Sequence, residues 1–253
     1  MGISFTEDET MDLPLLLHIP HSSARVPAEY RDDFVTDIET ELRCMTDWYT
    51  AELFAFPAPR LVFPVSRLVC DVERFRDDGR EIMAGRGMGA CYTHGHDGKP
   101  LRRLSPAARE AILRRWYDPH HARLTELTRT ALARSGGCLI VDCHSFTAAP
   151  LPYETDQRRE RPDICLGTDG FHTPPELAEG LEESFRRLGY SVARNAPYAG
   201  ALTPLAYYRQ ERRLQAVMIE VNRGLYLDEN CGRNPDFQRV RRDIGRVLRR
   251  LAE

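Results

Sequence analysis

"LIVDCHSF", residues 139–146, decides the fold. Leu139, Ile140 and Val141 form an apolar, β-branched run that reads as a buried strand. The run stops at Asp142, Cys143, His144 and Ser145, where a strand gives way to a loop. Strand alternation places the Cys143 side chain opposite those of Asp142 and His144. Cys143 therefore reads as a buried inert thiol, and the other face carries the chemistry.

Similar runs recur along the chain. "LPLLLHI" (13–19), "DICLGT" (163–168), "YSVARN" (190–195) and "LQAVMIEV" (214–221) read as strands, and "RLVFPVSRLVCDV" (60–72) as two short strands broken near Pro64. Helical periodicity spans 37–55, with Ile38, Leu42, Met45, Tyr49 and Leu53 on one face. Ser105-Pro106 opens a helix to about 134, interrupted or kinked at Pro119. Thr173-Pro174 opens another that stops at Gly189, and Asn234-Pro235 precedes a basic C-terminal helix. Strands alternating with helices predict an α/β fold with a mixed, mostly parallel sheet covered on both faces. The absence of repeats and low-complexity linkers predicts one domain over 1–253. Residues 75–104, rich in Gly, Arg and His, read as a long functional loop.

With 253 residues and 42% hydrophobic content, the chain suffices for one compact α/β domain. A net charge of −3 argues against a nucleic-acid partner. No apolar run reaches the ~20 residues that span a bilayer, and the acidic N-terminus does not read as a signal peptide. Seven cysteines without a CxxC pair point to a reduced, cytoplasmic protein. Lys99 is the only lysine among 35 basic residues. Arginine grips carboxylates bidentately, so individual arginines are candidates for that task.

In open parallel sheets, ligands bind beyond the carboxyl ends of the strands. Those ends carry His18 and His21; Asp71, Glu73 and Arg74; Asp142, His144 and Ser145; Glu220, Asn222 and Arg223. His21, in the turn, is better placed for a cleft than His18, within the strand. Asp142 and Ser145 are candidates to hold His144 from behind. Glu220 reads either as half of a buried salt bridge or as a general base of raised pKa. A three-ligand zinc site needs a further donor. Asp47, one residue off the apolar stripe of its helix, is the first candidate, with His120 and His121 as competitors.

"HIPHSS" (18–23), "TDWYTAELF" (46–54), "SRLVCDVERF" (66–75), "YDPHHARL" (117–124), "DCHSF" (142–146) and "NAPYAG" (195–200) occur in the order seen in N-formylglutamate amidohydrolases. The resemblance covers roughly residues 15–230, and the motifs are specific as a set. It implies a zinc-carboxypeptidase-like sheet, related also to succinylglutamate desuccinylase and aspartoacylase. It implies one zinc held by His21 and His144, with Asp47 added here, Glu220 as general base and Arg74 on a substrate carboxylate. Arg67, Arg223, Asn195 and Tyr198 are expected to bind substrate, and Asp71 and His121 to support the ligands. The implied partner is a small N-acylated acidic amino acid and the implied reaction release of formate. Another zinc deacylase, carboxypeptidase or cell-wall amidase is the first alternative, and a non-catalytic binding protein on this fold the second. Two positions depart from the expected pattern. Ala24 stands where an HxxE motif has its acid, and Glu73 stands where Asn usually precedes the arginine.

Overall fold

The computed structural model describes residues 14–252. The readings of the acidic N-terminus and of Leu13 lie outside the described residues. Six strands form one sheet: β1 (Leu15–Ile19), β2 (Arg60–Val62), β3 (Cys138–Phe146), β4 (Ile164–Gly167), β5 (Val192–Arg194) and β6 (Leu214–Asn222). Their order is β2-β1-β3-β6-β4-β5, and only the β4–β6 pair is antiparallel. The mixed, mostly parallel α/β sheet expected from the alternation is therefore present. From β1 the chain steps outward to β2 and then returns to the other side of β1 as β3. That reversal opens a crevice at the carboxyl ends of β1 and β3.

Alternation divides the two faces. Leu15, Leu17 and Ile19, then Leu139, Val141 and Cys143, then Val217, Ile219 and Val221 all enter one core. Helices α2 (Thr50–Leu53), α5 (Pro175–Arg187) and α6 (Phe237–Leu251) cover it with Leu53, Leu181, Phe185, Val240, Ile244 and Val247. Each such fully buried side chain contributes about 1.5–3 kcal/mol. The opposite face changes character along the strands. Leu16, Ile140 and Ala216 pack under Leu124 and Leu132 of α4 (Asp118–Ser135). One or two pleats further on, that face carries His18, Asp142, His144 and Glu220. The register sets His18 beside Asp142 and His144 beside Glu220.

Three expectations need correction. Residues 63–72 are not a second strand. Pro64 has no N–H to offer a ladder, and Ser66 starts a turn whose carbonyl accepts from the N–H groups of Val69 and Cys70. Val65, Leu68, Val69 and Val72 are buried instead in a separate cluster with Met88, Tyr92 and Leu101 from the long loop. A short apolar run looks the same in a strand and in a packed loop. The 37–55 helix is two helices, α1 (Ile38–Met45) and α2, separated by Thr46–Tyr49, with Tyr49 at φ 61°. The helix is not broken at Pro119: α3 (Pro106–Ile112) passes through a π-turn over Leu113–Tyr117 into α4, with Pro119 seated in the first turn of α4. Among the described residues no helix is long and apolar enough to cross a membrane.

Candidate active site

The break between α1 and α2 builds the site. It takes Asp47 off the helix surface, and the Asp47 N–H donates to the His21 carbonyl at 3.0 Å. The carboxylate then reaches the end of β3. Asp47 Oδ2 lies 3.2 Å from His144 Nδ1 and 3.9 Å from His21 Nδ1, and the two Nδ1 atoms are 3.3 Å apart. All three residues are buried. Each histidine turns its other nitrogen to a carboxylate, His21 Nε2 to Asp71 at 2.9 Å and His144 Nε2 to Asp142 at 3.1 Å.

These donors fit a divalent cation. Donors ~2.0–2.1 Å from a tetrahedral zinc stand ~3.3 Å from one another. With the Nε2 atoms facing Asp71 and Asp142, both Nδ1 atoms and one carboxylate oxygen converge on a single point. Neutral histidines there would leave three acceptors facing one another with no proton between them. Burial and the Arg67 charge lower the His21 pKa, which keeps its Nδ1 lone pair free. Burial also acts to lower the His144 pKa, but Asp142 and Asp47 outweigh it and raise the pKa well above the ordinary value. A cation would displace that extra proton.

Asp47 is held from two directions. The Ser145 N–H donates to Oδ2 at 3.1 Å, and Arg223 Nη2 donates to Oδ1 at 2.9 Å. Arg223 further donates to the Cys44 carbonyl and to both the hydroxyl and the carbonyl of Ser145. These bonds correct one expectation: Ser145 serves Asp47 rather than His144. Arg223, expected to bind substrate, lines the cleft and also holds Asp47 in place.

Glu220 stands beside His144 with its Oε2 buried and without a hydrogen-bond partner. Burial, with Asp47 nearby, pushes its pKa up to about 8 against the opposing charges of His144, Arg223 and Arg67. Arg67 donates to Asp71 at 2.9 Å and to the Tyr92 hydroxyl at 3.2 Å. Tyr92 in turn donates to Asp71 at 2.5 Å. Arg74 is less engaged. Its Nε lies 3.6 Å from Asp71 and lacks a hydrogen-bond partner, although buried. Arg67, Arg74, Glu220 and the three converging residues line one cleft of about 510 Å³, together with Tyr153, Tyr198 and Glu73. Such a volume suits a small-molecule substrate.

Asn195, His121 and His120 lie elsewhere, whereas Tyr198 stays at the cleft. Asn195 is exposed and does not line the cleft; its side chain accepts from the Thr168 N–H and donates to the Thr168 hydroxyl, each at 2.8 Å. His121 meets the Val72 carbonyl at 2.9 Å and touches none of the three converging residues. His120 meets His18, not the converging donors.

Three further participants had no role assigned from the sequence. Tyr92 braces Asp71, but a lone tyrosine in a Gly-rich loop gives no signal. Glu73 turns inward, with Oε1 3.2 Å from His18 Nδ1 and Oε2 3.8 Å from His144 Nε2. His18 is fully buried, and its pKa is raised to about 9; burial opposes the rise, and Asp142 and Glu73 outweigh it. The His18 charge thus offsets the acid that replaces the expected Asn. The outward pairing of His18 with Asp142 becomes legible only once the β1–β3 register is known.

A profile of the family described as N-formylglutamate amidohydrolase matches residues 13–227. The chain belongs to the N-formylglutamate amidohydrolase family. The N-formylglutamate deformylase of Pseudomonas aeruginosa is 30% identical over 229 residues, covering 87% of this chain and 84% of that one. The crystal structure of N-formylglutamate amidohydrolase from Ralstonia eutropha JMP134 superposes with a TM-score of 0.80 at 28% identity, covering 96% and 94% of the two chains. A gene product from Agrobacterium tumefaciens, at 20% identity and a TM-score of 0.65 over 95% and 92% of the two chains, shares the fold. Family membership makes the protein a hydrolase of linear amide C–N bonds, which sets aside the reading as a non-catalytic binding protein.

Proposed function

We propose that the enzyme hydrolyses N-formyl-L-glutamate to formate and L-glutamate, with a zinc ion held by His21, Asp47 and His144. One observation carries this reading. Three metal-type donors converge beside a buried, unpartnered Glu220 oxygen, in a cleft that also contains the under-used Arg74. The names of the relatives support the substrate, and two imidazoles with one carboxylate suit zinc with an open position.

The bound ion would supply Lewis-acid polarisation of the formyl carbonyl and an acidified water. The protein does the rest. Glu220 accepts the proton of the attacking water at its carboxylate and passes it to the departing nitrogen. Arg74, with the partly exposed edge of Arg67, grips a substrate carboxylate and so orients the amide by binding energy remote from it. Asp71 and Asp142 fix the histidine rings, and Arg223 fixes the Asp47 carboxylate. Tyr153 and Tyr198 wall the cleft and limit water around the reacting carbon.

A substrate panel tests the assignment. Formate release from N-formyl-L-glutamate should exceed turnover of the N-acetyl and N-succinyl analogues and of short peptides. A preference for succinyl amino acids or for peptides would reassign the enzyme to another activity of the superfamily.

A further inference from the structure

A line of buried polar side chains runs behind the site. It starts at His144 and continues through Asp142 to His18 and then His120, with contacts of 3.1, 2.8 and 2.8 Å. Asp142 and His18 are completely inaccessible to solvent, and His144 and His120 nearly so. His18 and His120 do not line the cleft, so these two have no direct part in the chemistry. A buried polar group costs stability unless it is paired. His18 is hydrogen-bonded to both Asp142 and His120, and His144 Nε2 stands in ionic contact with Asp142 without a hydrogen bond of its own.

Asp142 is the hinge of this arrangement. Its Oδ1 accepts from His18 Nδ1 and also faces His144 Nε2, while its Oδ2 accepts from the Leu202 N–H at 3.2 Å. A carboxylate held so cannot swing away from His144. We propose that His18 is a positioning residue for the metal centre: by fixing Asp142 it keeps His144 Nε2 on that carboxylate and His144 Nδ1 on the point shared with His21 and Asp47. His120 completes the support from α4. Its Nε2 meets His18 Nε2, and its ring packs edge-on against Phe63 with centroids 5.1 Å apart. This ties the tilt of α4 to the orientation of a ligand more than one residue layer away. A helical histidine that looked like a competing ligand thus becomes a brace for the strand that carries one.

The inference rests on the metal reading proposed above. Two amide variants separate the two contacts of His18. His18→Asn keeps an amide nitrogen near the Nδ1 position and its bond to Asp142. His18→Gln reaches toward His120 and loses the Asp142 bond. Zinc dissociation constants of the metal-stripped protein, measured against a competing chelator near neutral pH, should rise ~10–100-fold in His18→Gln and stay within about three-fold of wild type in His18→Asn. Equal zinc affinity in both variants and wild type would overturn the inference, as would an Asn variant as damaged as the Gln variant. If wild type itself takes up no divalent cation, the metal site falls and this inference with it. Should the variants fail to fold, wild-type protein labelled with ¹⁵N-histidine still decides. The Nδ1 proton of His18 should give a slowly exchanging low-field resonance that shifts when zinc is added to the stripped protein. The absence of that resonance, or its indifference to zinc, would overturn the inference.

Discussion

Glu220→Gln should keep its metal and lose about 10²–10⁴-fold in kcat, the usual contribution of a positioned general base. The amide has the same shape but cannot accept the proton of the attacking water. Metal content by mass spectrometry and kcat on N-formyl-L-glutamate are the two measurements. A variant with full metal and normal kcat would move the base to another residue. The same substitution has a second signature in the metal-free protein. The Glu220 pKa rises from the ordinary 4.5 to about 8, chiefly through burial. Between those values the folded protein holds a proton that the unfolded chain has released. Stability contributed by the neutral form is therefore lost as pH climbs through that window. Glutamine carries no such proton. The melting temperature of metal-free Glu220→Gln should gain on wild type from pH 4.5 to about 8, and equal slopes for the two proteins would refute the buried-acid account.

Arg74→Ala should lower kcat/KM for N-formyl-L-glutamate roughly 10–150-fold, the value of one hydrogen-bonded contact to a charged group. Arg74 is suited to this task because its Nε has no hydrogen-bond partner and its distance to Asp71 is 3.6 Å, beyond a good bond. Arg67 and Arg223, by contrast, are already engaged with Asp71 and Asp47. The control is the neutral diamide of N-formylglutamate, which has no carboxylate. Its rate, already low, should change little. Equal losses on both compounds would remove Arg74 from carboxylate binding and leave it a structural partner of Asp71.

Local pattern carried most of the fold into view. The apolar runs around 139–143 and 214–221 are long and bounded, and the alternation of strands with helices leaves few ways to arrange them. It also brought His21, His144 and Glu220 onto one rim, because residues just beyond parallel strands share an edge; Asp47 entered only as a candidate from its helix. What stayed hidden depends on contacts remote in sequence. The break that frees Asp47 shows only as a non-glycine residue at positive φ, Tyr49, inside an otherwise helical period. The apolar residues from Val65 to Val72 resemble a strand because burial in a loop core demands the same side chains. The bond from Arg223 to Asp47 stayed hidden because the two residues lie 176 positions apart. Asn195 drew attention through its motif, yet its side chain is spent on Thr168.

If the donors of His21, Asp47 and His144 hold the proposed ion, deformylation requires it. The most direct test follows formate release from N-formyl-L-glutamate by protein stripped with a chelator and dialysed, before and after one equivalent of zinc. Turnover should be near zero in the stripped protein and recover on adding zinc, with no recovery in Asp47→Ala. Full turnover by verified metal-free protein would contradict that requirement.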